Sequence, residues 1–215
     1  MARPREFDHD VALDRAMAAF WTKGYDATSI ENLVARMGIQ RGSLYGAFGD
    51  KRTLFLAALE RYERVVVREL LDALEAPGSG IEAIRRLFRL RIEGSLERRR
   101  PLGCLLTNSA VELPRRDPDA AARVGTSLAK LERAFYRALV RARNAGEIAA
   151  SRNLRALARF LTSSAQGLSV MAKVAPERSV LEDIVAVILS MLEHGPATAP
   201  RGRRVWHRAE AEGRR

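Results

Sequence analysis

The spacing of the apolar residues constrains this fold most, because it repeats at the three- and four-residue intervals of an α-helix. One set, spaced i, i+3, i+4 and i+7 so that it covers a single helix face, is Leu13, Ala16, Met17 and Phe20. A second set with the same spacing is Ile30, Leu33, Val34 and Met37. No stretch keeps the two-residue alternation of a β-strand for long. The sequence therefore predicts an all-α protein.

Turn and capping residues divide this pattern into about nine helices. Thr28 and Glu31 stand in capping-box register at the start of the second helix, and Gly38 is placed to end it. Asp50 is the predicted N-cap of a long fourth helix, and the residues Pro77-Gly78-Ser79-Gly80 break the chain after it. The helices predicted beyond the break are about 79–96, 104–113, 117–144, 153–173 and 179–193. The two at 79 and 179 open with capping boxes, Ser79 with Glu82 and Ser179 with Glu182.

Composition limits the classes of protein that this chain can be. No apolar run reaches the 18 residues that typically cross a bilayer, and the single cysteine, Cys104, excludes an intrachain disulfide. We therefore expect a soluble, cytoplasmic protein. The net charge of +11 is a weak indication of nucleic-acid binding, because residues 1–64 carry ten basic and nine acidic side chains. The basic excess lies in 85–100 and in the tail 195–215, which we predict to be disordered.

Residues 28–48 have the pattern of a helix-turn-helix, in which two short amphipathic helices are joined by a tight turn containing glycine. Leu44 and Phe48, four residues apart, are expected to fill the core side of the second of these helices. Its other side is left with side chains that can read base edges in a major groove, and with two glycines that permit close approach to the duplex. These outward residues are Gln40, Arg41, Gly42, Ser43, Tyr45 and Gly46.

Five short motifs in this region resemble the N-terminal signature of the TetR family of repressors, over about residues 7–56. They are Gly24-Tyr25, Thr28-Ser29-Ile30, Gly38 to Tyr45, Phe48-Gly49-Asp50-Lys51 and Leu54-Phe55. The resemblance implies that Gln40, Arg41 and Ser43 face base edges. It also implies that phosphates are held by Thr28, Ser29, Tyr45 and Lys51. Gly46 departs from the family, which often has a bulky His or Tyr there, so fewer base contacts are expected at that position.

The resemblance also implies a domain plan. Residues 1–50 would bind DNA, 51–76 would form a connecting helix, and 79–194 would bind ligand and form the dimer. The last predicted helix is apolar around most of its circumference, and the helix before it carries small residues that allow close approach. We therefore expect a homodimer through about 153–173 and 179–193, with ordinary core packing as the alternative.

A small-molecule site is expected in the C-terminal half. Cys104, Asn108 and Glu112 recur every four residues and form one polar stripe on a helix. The segment from Gly103 to Asn108 resembles one in a TetR subgroup that includes regulators answering to reactive electrophiles, metals or small acids. Cys104 is therefore either a sensing thiol or a plain core residue. The candidate pocket walls, which are equally good core residues, are Phe88, Ile92, Phe135, Leu139 and Phe160.

These patterns together predict a transcriptional repressor, with neither cofactor nor metal, that is released from a palindromic operator by an inducer or by modification of Cys104. Two alternatives stay open. A thiol-dependent enzyme would also use Cys104, but the three histidines lie near the chain ends, far in sequence from it. A nonspecific nucleic-acid-binding or adaptor protein would depend on the arginine-rich segments and would show a steep salt dependence without sequence preference.

Overall fold

The computed structural model describes residues 7–97, 102–113 and 117–193, and the tail predicted to be disordered lies outside these ranges. The described residues form nine helices and no strand, which confirms the all-α prediction. One of them, α4, is α-helical over Lys51–Tyr62 and Arg68–Glu75 and passes between these parts through a π-helical turn, Glu63–Val67. The others are α1 (His9–Lys23), α2 (Ile30–Met37), α3 (Arg41–Phe48), α5 (Gly80–Leu96), α6 (Leu105–Glu112), α7 (Pro118–Asn144), α8 (Leu154–Val174) and α9 (Arg178–Glu193). None of the helices described is long and apolar enough to span a membrane.

Side-chain caps fix where several helices begin. Asp50 accepts a hydrogen bond from the backbone N–H of Thr53, as predicted, and Asp117 accepts one from Ala120. Ser79 is also a cap, since its Oγ accepts from the N–H of Glu82 at 3.0 Å. The carboxylate of Glu82 binds Arg85 instead of completing the predicted capping box.

Two predicted caps are wrong. Helix α2 begins one residue later than expected, with Ser29 as its N-cap, and the hydroxyl of Thr28 is buried and donates to the carbonyl oxygen of Gly24 at 2.6 Å. Helix α9 begins at Arg178, so Ser179 lies inside its first turn. Glu182 pairs with the guanidinium of Arg178 at 3.4 Å, in an i, i+4 contact on the helix surface.

The described residues bury two apolar cores. The N-terminal core packs α1–α4 around Phe20, Leu33, Leu44 and Phe55, and the C-terminal core packs the end of α4 with α5, α7, α8 and α9. Residues from α6 and the start of α7 belong to the N-terminal core. They are Cys104, Leu105, Leu106, Leu113, Ala120 and Val124. The apolar packing therefore crosses the predicted domain boundary near residue 76.

Candidate nucleic-acid interface

The turn between α2 and α3 sets the orientation of α3. Gly38 ends α2 in the left-handed conformation (φ 70°), which a residue with a side chain adopts at a steric cost. Its N–H donates to the carbonyl oxygen of Val34 at 3.0 Å. Met37 and Leu33 of α2 pack into the same core as Leu44 and Phe48, which are buried as their spacing predicts. One side of α3 is thereby held against the N-terminal core.

The opposite side of α3 is open to solvent. Gln40, Arg41 and Tyr45 are exposed, and Ser43 is half-buried. A Cβ built on Gly42 or on Gly46 would have no heavy atom within 4 Å, because nothing in the described chain lies over these two glycines. α3 is therefore a short helix with one buried apolar side and one uncovered polar side.

Arg41 is a cation on this open side and is the first residue of α3. Its guanidinium lies 3.3 Å from the carboxylate of Glu31 on α2 and 5.8 Å from the centre of the Tyr45 ring. The backbone N–H of Glu31, followed by the hydroxyl of Ser29, holds the pKa of the Glu31 carboxyl below its usual range. Both partners of the ion pair are more than 60% exposed. Such a pair in water contributes little to stability, so the guanidinium can exchange the carboxylate for another anion at small cost.

A second cation lies at the start of α4. The Lys51 Nζ lies 4.4 Å from the centre of the Tyr25 ring and donates to the carbonyl oxygen of Asp26 at 3.5 Å. Ser29 is exposed at the N-terminus of α2, and its hydroxyl accepts from the N–H of Asn32. Sequence reasoning missed Tyr25 as the partner of Lys51, since 26 positions separate them and no local spacing connects them. Thr28 is corrected: it is completely buried, so its side chain is not placed to contact phosphate.

The residues expected to line a ligand cavity do not come together around one. Phe88, Phe135 and Leu139 are fully buried in the C-terminal core, and the two phenylalanine rings stack with centres 6.2 Å apart. These three residues are core, which corrects their assignment as pocket walls. Ile92 lines a cavity of about 240 Å³ between α5 and α9, together with Arg85, Arg89 and Arg178. Phe160 lines a separate apolar groove of about 790 Å³ between α8 and α9.

The polar stripe on α6 contacts three different partners instead of a cavity. Cys104 is buried beside the Tyr62 hydroxyl, and the Asn108 side-chain amide donates to the carbonyl oxygen of Leu102 at 3.1 Å. Burial raises the pKa of the Tyr62 hydroxyl, and Cys104 adds to the shift. The third member, Glu112, reaches the turn that follows α1. Its carboxylate accepts from the backbone N–H groups of Tyr25 at 2.9 Å and Asp26 at 2.7 Å.

Further contacts connect this part of the chain to the DNA-side helices. The indole Nε1 of Trp21, on α1, donates to the carbonyl oxygen of Gly103 at 3.1 Å, and its ring meets the Tyr62 ring edge to face at 4.9 Å. Arg52, on α4, binds the Asp117 carboxylate through two hydrogen bonds. Sequence reasoning found none of these contacts. The described residues hold no group of three or more His, Cys, Asp or Glu side chains arranged to bind a metal ion.

Comparison with known proteins gives consistent matches over both halves of the chain. Residues 12–58 match the family described as "Bacterial regulatory proteins, tetR family", and residues 80–188 match "Tetracyclin repressor-like, C-terminal domain". The uncharacterized HTH-type transcriptional regulator YezE of Bacillus subtilis (strain 168) is 39% identical over 194 residues, 90% of this chain and 100% of YezE. The HTH-type transcriptional repressor ComR of Escherichia coli (strain K12) is 31% identical over 195 residues, 90% of this chain and 91% of ComR.

A solved structure adds a DNA complex to these relatives. A cysteine-substituted form of the TetR family regulator CifR, complexed with 26-base-pair double-strand operator DNA, matches with a TM-score of 0.82 and 32% identity. The match covers 89% of this chain and 100% of the CifR chain.

Proposed function

Because this chain belongs to the TetR family of bacterial transcriptional regulators, we propose that it is a repressor that binds a palindromic operator as a homodimer and releases it in response to an inducer. Its relatives are regulators and not enzymes, so the chain is a transcriptional regulator and the thiol-enzyme alternative is set aside. The observation that carries the proposal is the uncovered polar side of α3, opposite the buried Leu44 and Phe48.

The chemistry of that side suits a major groove. Arginine and glutamine can pair in a bidentate manner with guanine and adenine edges, and the two glycines remove side chains that would hold the helix away from the duplex. We assign base contacts to Gln40, Arg41 and Ser43. Ser29, Tyr45 and Lys51 are assigned to phosphates, since hydroxyl and ammonium groups donate hydrogen bonds to phosphate oxygens, and Ser29 and Lys51 also stand at the N-termini of α2 and α4.

The dimer is proposed to form through the apolar groove between α8 and α9. Val170, Met171 and Val187 line this groove and are exposed, at 38% to 64% of their surface. Exposed apolar surface of this extent on neighbouring helices is typical of a protein interface. A two-fold dimer also explains a palindromic operator, because each protomer presents its α3 to one half-site.

We propose that α4 transmits the inducer signal, since it begins next to the DNA face at Lys51 and packs Leu70 and Leu74 near its end into the C-terminal core. The inducer would bind more tightly to a state whose two α3 helices have the wrong spacing for the operator. Modification of Cys104 is the second candidate trigger. The thiol is buried against Tyr62, so an added group there would displace α4 directly. Alkylating the folded protein and measuring operator release, with Cys104→Ser as the control, separates the two triggers.

The experiment that tests repressor function is selection of bound duplexes from a random DNA pool, followed by fluorescence anisotropy on the selected sequence. We expect a palindromic consensus, bound with an affinity that falls at least tenfold in Arg41→Ala, since a bidentate base contact provides about 1–3 kcal/mol of discrimination and the dimer loses one in each half-site. Arg64→Ala is the matched control, because Arg64 is an exposed arginine on α4, away from the α3 face. Binding without sequence preference, unaffected by Arg41→Ala, would instead support the nonspecific alternative.

A further inference from the structure

Glu112 connects the C-terminal half of the chain to the turn between α1 and α2. Its carboxylate is seated on that turn, with Oε2 accepting from the backbone N–H of Tyr25 at 2.9 Å and Oε1 from the N–H of Asp26 at 2.7 Å. Gly24, which precedes them, has a φ of 83°, and a Cβ built on it would lie 2.7 Å from the same Oε2. Two consecutive amides and a glycine therefore form a close-fitting site for one carboxylate.

The two residues that Glu112 holds are also the two that hold Lys51. The Lys51 Nζ lies 4.4 Å from the centre of the Tyr25 ring and 3.5 Å from the carbonyl oxygen of Asp26. The Tyr25 ring packs on the buried Phe55, whose ring centre is 4.9 Å away. The position of the Lys51 ammonium therefore depends on a backbone segment that a carboxylate of α6 fixes.

We infer that Glu112 is a positioning residue for operator binding, which holds Lys51 ready for a phosphate by fixing Tyr25 and Asp26. A lysine side chain is long and flexible, so a freely moving one loses conformational freedom when it binds phosphate, and one that is already held loses less. The ammonium has three N–H donors, of which the Asp26 carbonyl oxygen takes one, so the others remain for phosphate oxygens. The inference rests on the proposed repressor function, which assigns Lys51 to phosphate.

Glu112 is itself placed by the C-terminal half of the chain. Helix α6 is connected to α8 by a hydrogen bond from the Thr107 hydroxyl to the Gln166 side-chain oxygen at 2.6 Å, and the Asn108 side-chain oxygen lies 3.5 Å from the Lys173 ammonium. Helix α8 also lines the proposed dimer groove. A change that moves α6 would therefore withdraw the acceptor from the turn and loosen Lys51. Because the base contacts are assigned to α3, operator affinity should then change and base preference should not.

The expected direction of the effect separates this role from a simple charge effect. Removing a carboxylate makes the protein more positive, which by itself strengthens its attraction to DNA. Loss of the positioning contact predicts the opposite, which is weaker binding in Glu112→Ala. Glu69→Ala is the matched control, because Glu69 is an exposed glutamate in the 68–75 part of α4 and its loss changes the net charge equally.

The first measurement is NMR on the full chain labelled with 13C-lysine, without DNA. The Lys51 side-chain protons lie close to the face of the Tyr25 ring, so they should be shifted upfield of those of Lys23 and Lys130, and Lys51→Arg assigns the signal. In Glu112→Ala the turn is no longer held, so the Lys51 signal should move toward those of the other lysines. Glu112→Gln keeps the proposal falsifiable if Glu112→Ala does not fold, because it offers one acceptor oxygen in place of two and should give a smaller shift in the same direction.

The second measurement is operator affinity, by fluorescence anisotropy on the selected sequence and on variants of it. We expect Glu112→Ala to weaken binding about twofold to tenfold for each half-site, the range expected for the cost of ordering one long side chain, and by the same factor on every variant sequence. Introduced into Lys51→Met, the same change should have little further effect, because the side chain that Glu112 positions is already gone. Glu69→Ala should bind as tightly as the wild type or more tightly.

Three results would overturn the proposal. They are a Lys51 signal unchanged in both Glu112→Ala and Glu112→Gln, operator binding that is unchanged or tighter in Glu112→Ala, and a loss of affinity that is as large in Lys51→Met as in the wild type. A Lys51 signal that moves in a protein that selects no operator would leave the contact between Glu112 and the turn standing and contradict the repressor function instead.

Discussion

Arg52 and Asp117 form a two-hydrogen-bond ion pair, with Nε to Oδ2 at 2.7 Å and a terminal nitrogen to Oδ1 at 3.0 Å, across 65 residues of sequence. Arg52 lies in the first turn of α4, directly after the proposed DNA face, and Asp117 is the N-cap of α7. The pair therefore joins the start of the connecting helix to the start of the longest helix in the C-terminal half. Because the pair connects these two helix starts directly, a movement of one helix start would displace the other.

Asp117→Asn tests the contribution of this pair to stability. The Arg52 guanidinium, followed by the N–H of Ala120, holds the pKa of the Asp117 carboxyl below its ordinary value of 3.8. A carboxyl whose pKa is lower in the folded than in the unfolded chain stabilises the fold above its unfolded value, and this contribution is lost as the pH falls through the folded value. Asparagine keeps the cap but loses the charge, so we expect a loss of about 1–2 kcal/mol near neutral pH.

The measurement is urea unfolding of wild type and variant from pH 7 down to pH 3. The difference in unfolding free energy should be largest near neutral pH and should shrink below about pH 4. Asp119→Asn is the control, because Asp119 also binds Arg52 but is 71% exposed, and such exposed pairs contribute within about 0.5 kcal/mol. A difference that does not change with pH would show that the ion pair is not its source.

Glu112 is expected to order the turn between α1 and α2. Its carboxylate accepts from the two consecutive backbone N–H groups of Tyr25 and Asp26. In Glu112→Ala both amides should exchange with solvent at least tenfold faster, because each loses its acceptor. Hydrogen exchange followed by NMR checks this, with Val111→Ala as the control, since Val111 is 81% exposed on the same helix. Unchanged protection of the two amides in Glu112→Ala would contradict the assignment.

Replacing either of two glycines of α5, Gly80 and Gly94, by alanine is expected to change the stability of the fold in opposite directions. A Cβ on Gly80 would lie 2.1 Å from the carbonyl oxygen of Ala138 and 2.7 Å from the backbone nitrogen of Ala142, because α5 crosses α7 closely there. Gly80→Ala should therefore cost about 1–3 kcal/mol or more through forced backbone movement. Gly94 has open space around it, so Gly94→Ala should be neutral or stabilising by up to about 1 kcal/mol. Thermal unfolding of both variants distinguishes them, and similar melting temperatures would refute the close crossing.

The order of the helices and the core side of α3 could be predicted because they depend on local spacing. Leu44 and Phe48 must share a helix face whatever surrounds them, and Asp50 caps the nearest helix. Capping motifs alone do not determine the first residue of α2, because Thr28 and Ser29 are adjacent and each carries a hydroxyl that can cap a helix. Tertiary packing decides which of the two hydroxyls is buried. Thr28 donates to the Gly24 carbonyl oxygen, and Ser29 becomes the cap.

The ligand region could not be predicted because its contacts join residues far apart in sequence. Cys104 is the N-cap of α6, while Asn108 and Glu112 lie on the helix itself, and the partner of each of the three lies outside α6. By sequence, Phe88 and Phe135 could line a pocket or fill a core, because an apolar residue type suits both. Only the structure shows that other side chains fill the space beside them.

The proposed dimer interface between α8 and α9 can be tested with a charge at Val187. Val187 of α9 is 64% exposed on the apolar groove, and an aspartate there would place a charge in the centre of the proposed interface, where burial without a partner costs several kcal/mol. Val187→Asp should therefore be a folded monomer by analytical ultracentrifugation, with operator affinity reduced by orders of magnitude because one α3 reaches only one half-site. Val111→Asp puts the same charge on an exposed valine outside the groove and should stay dimeric. A Val187→Asp protein that sediments as a dimer would place the subunit contact elsewhere.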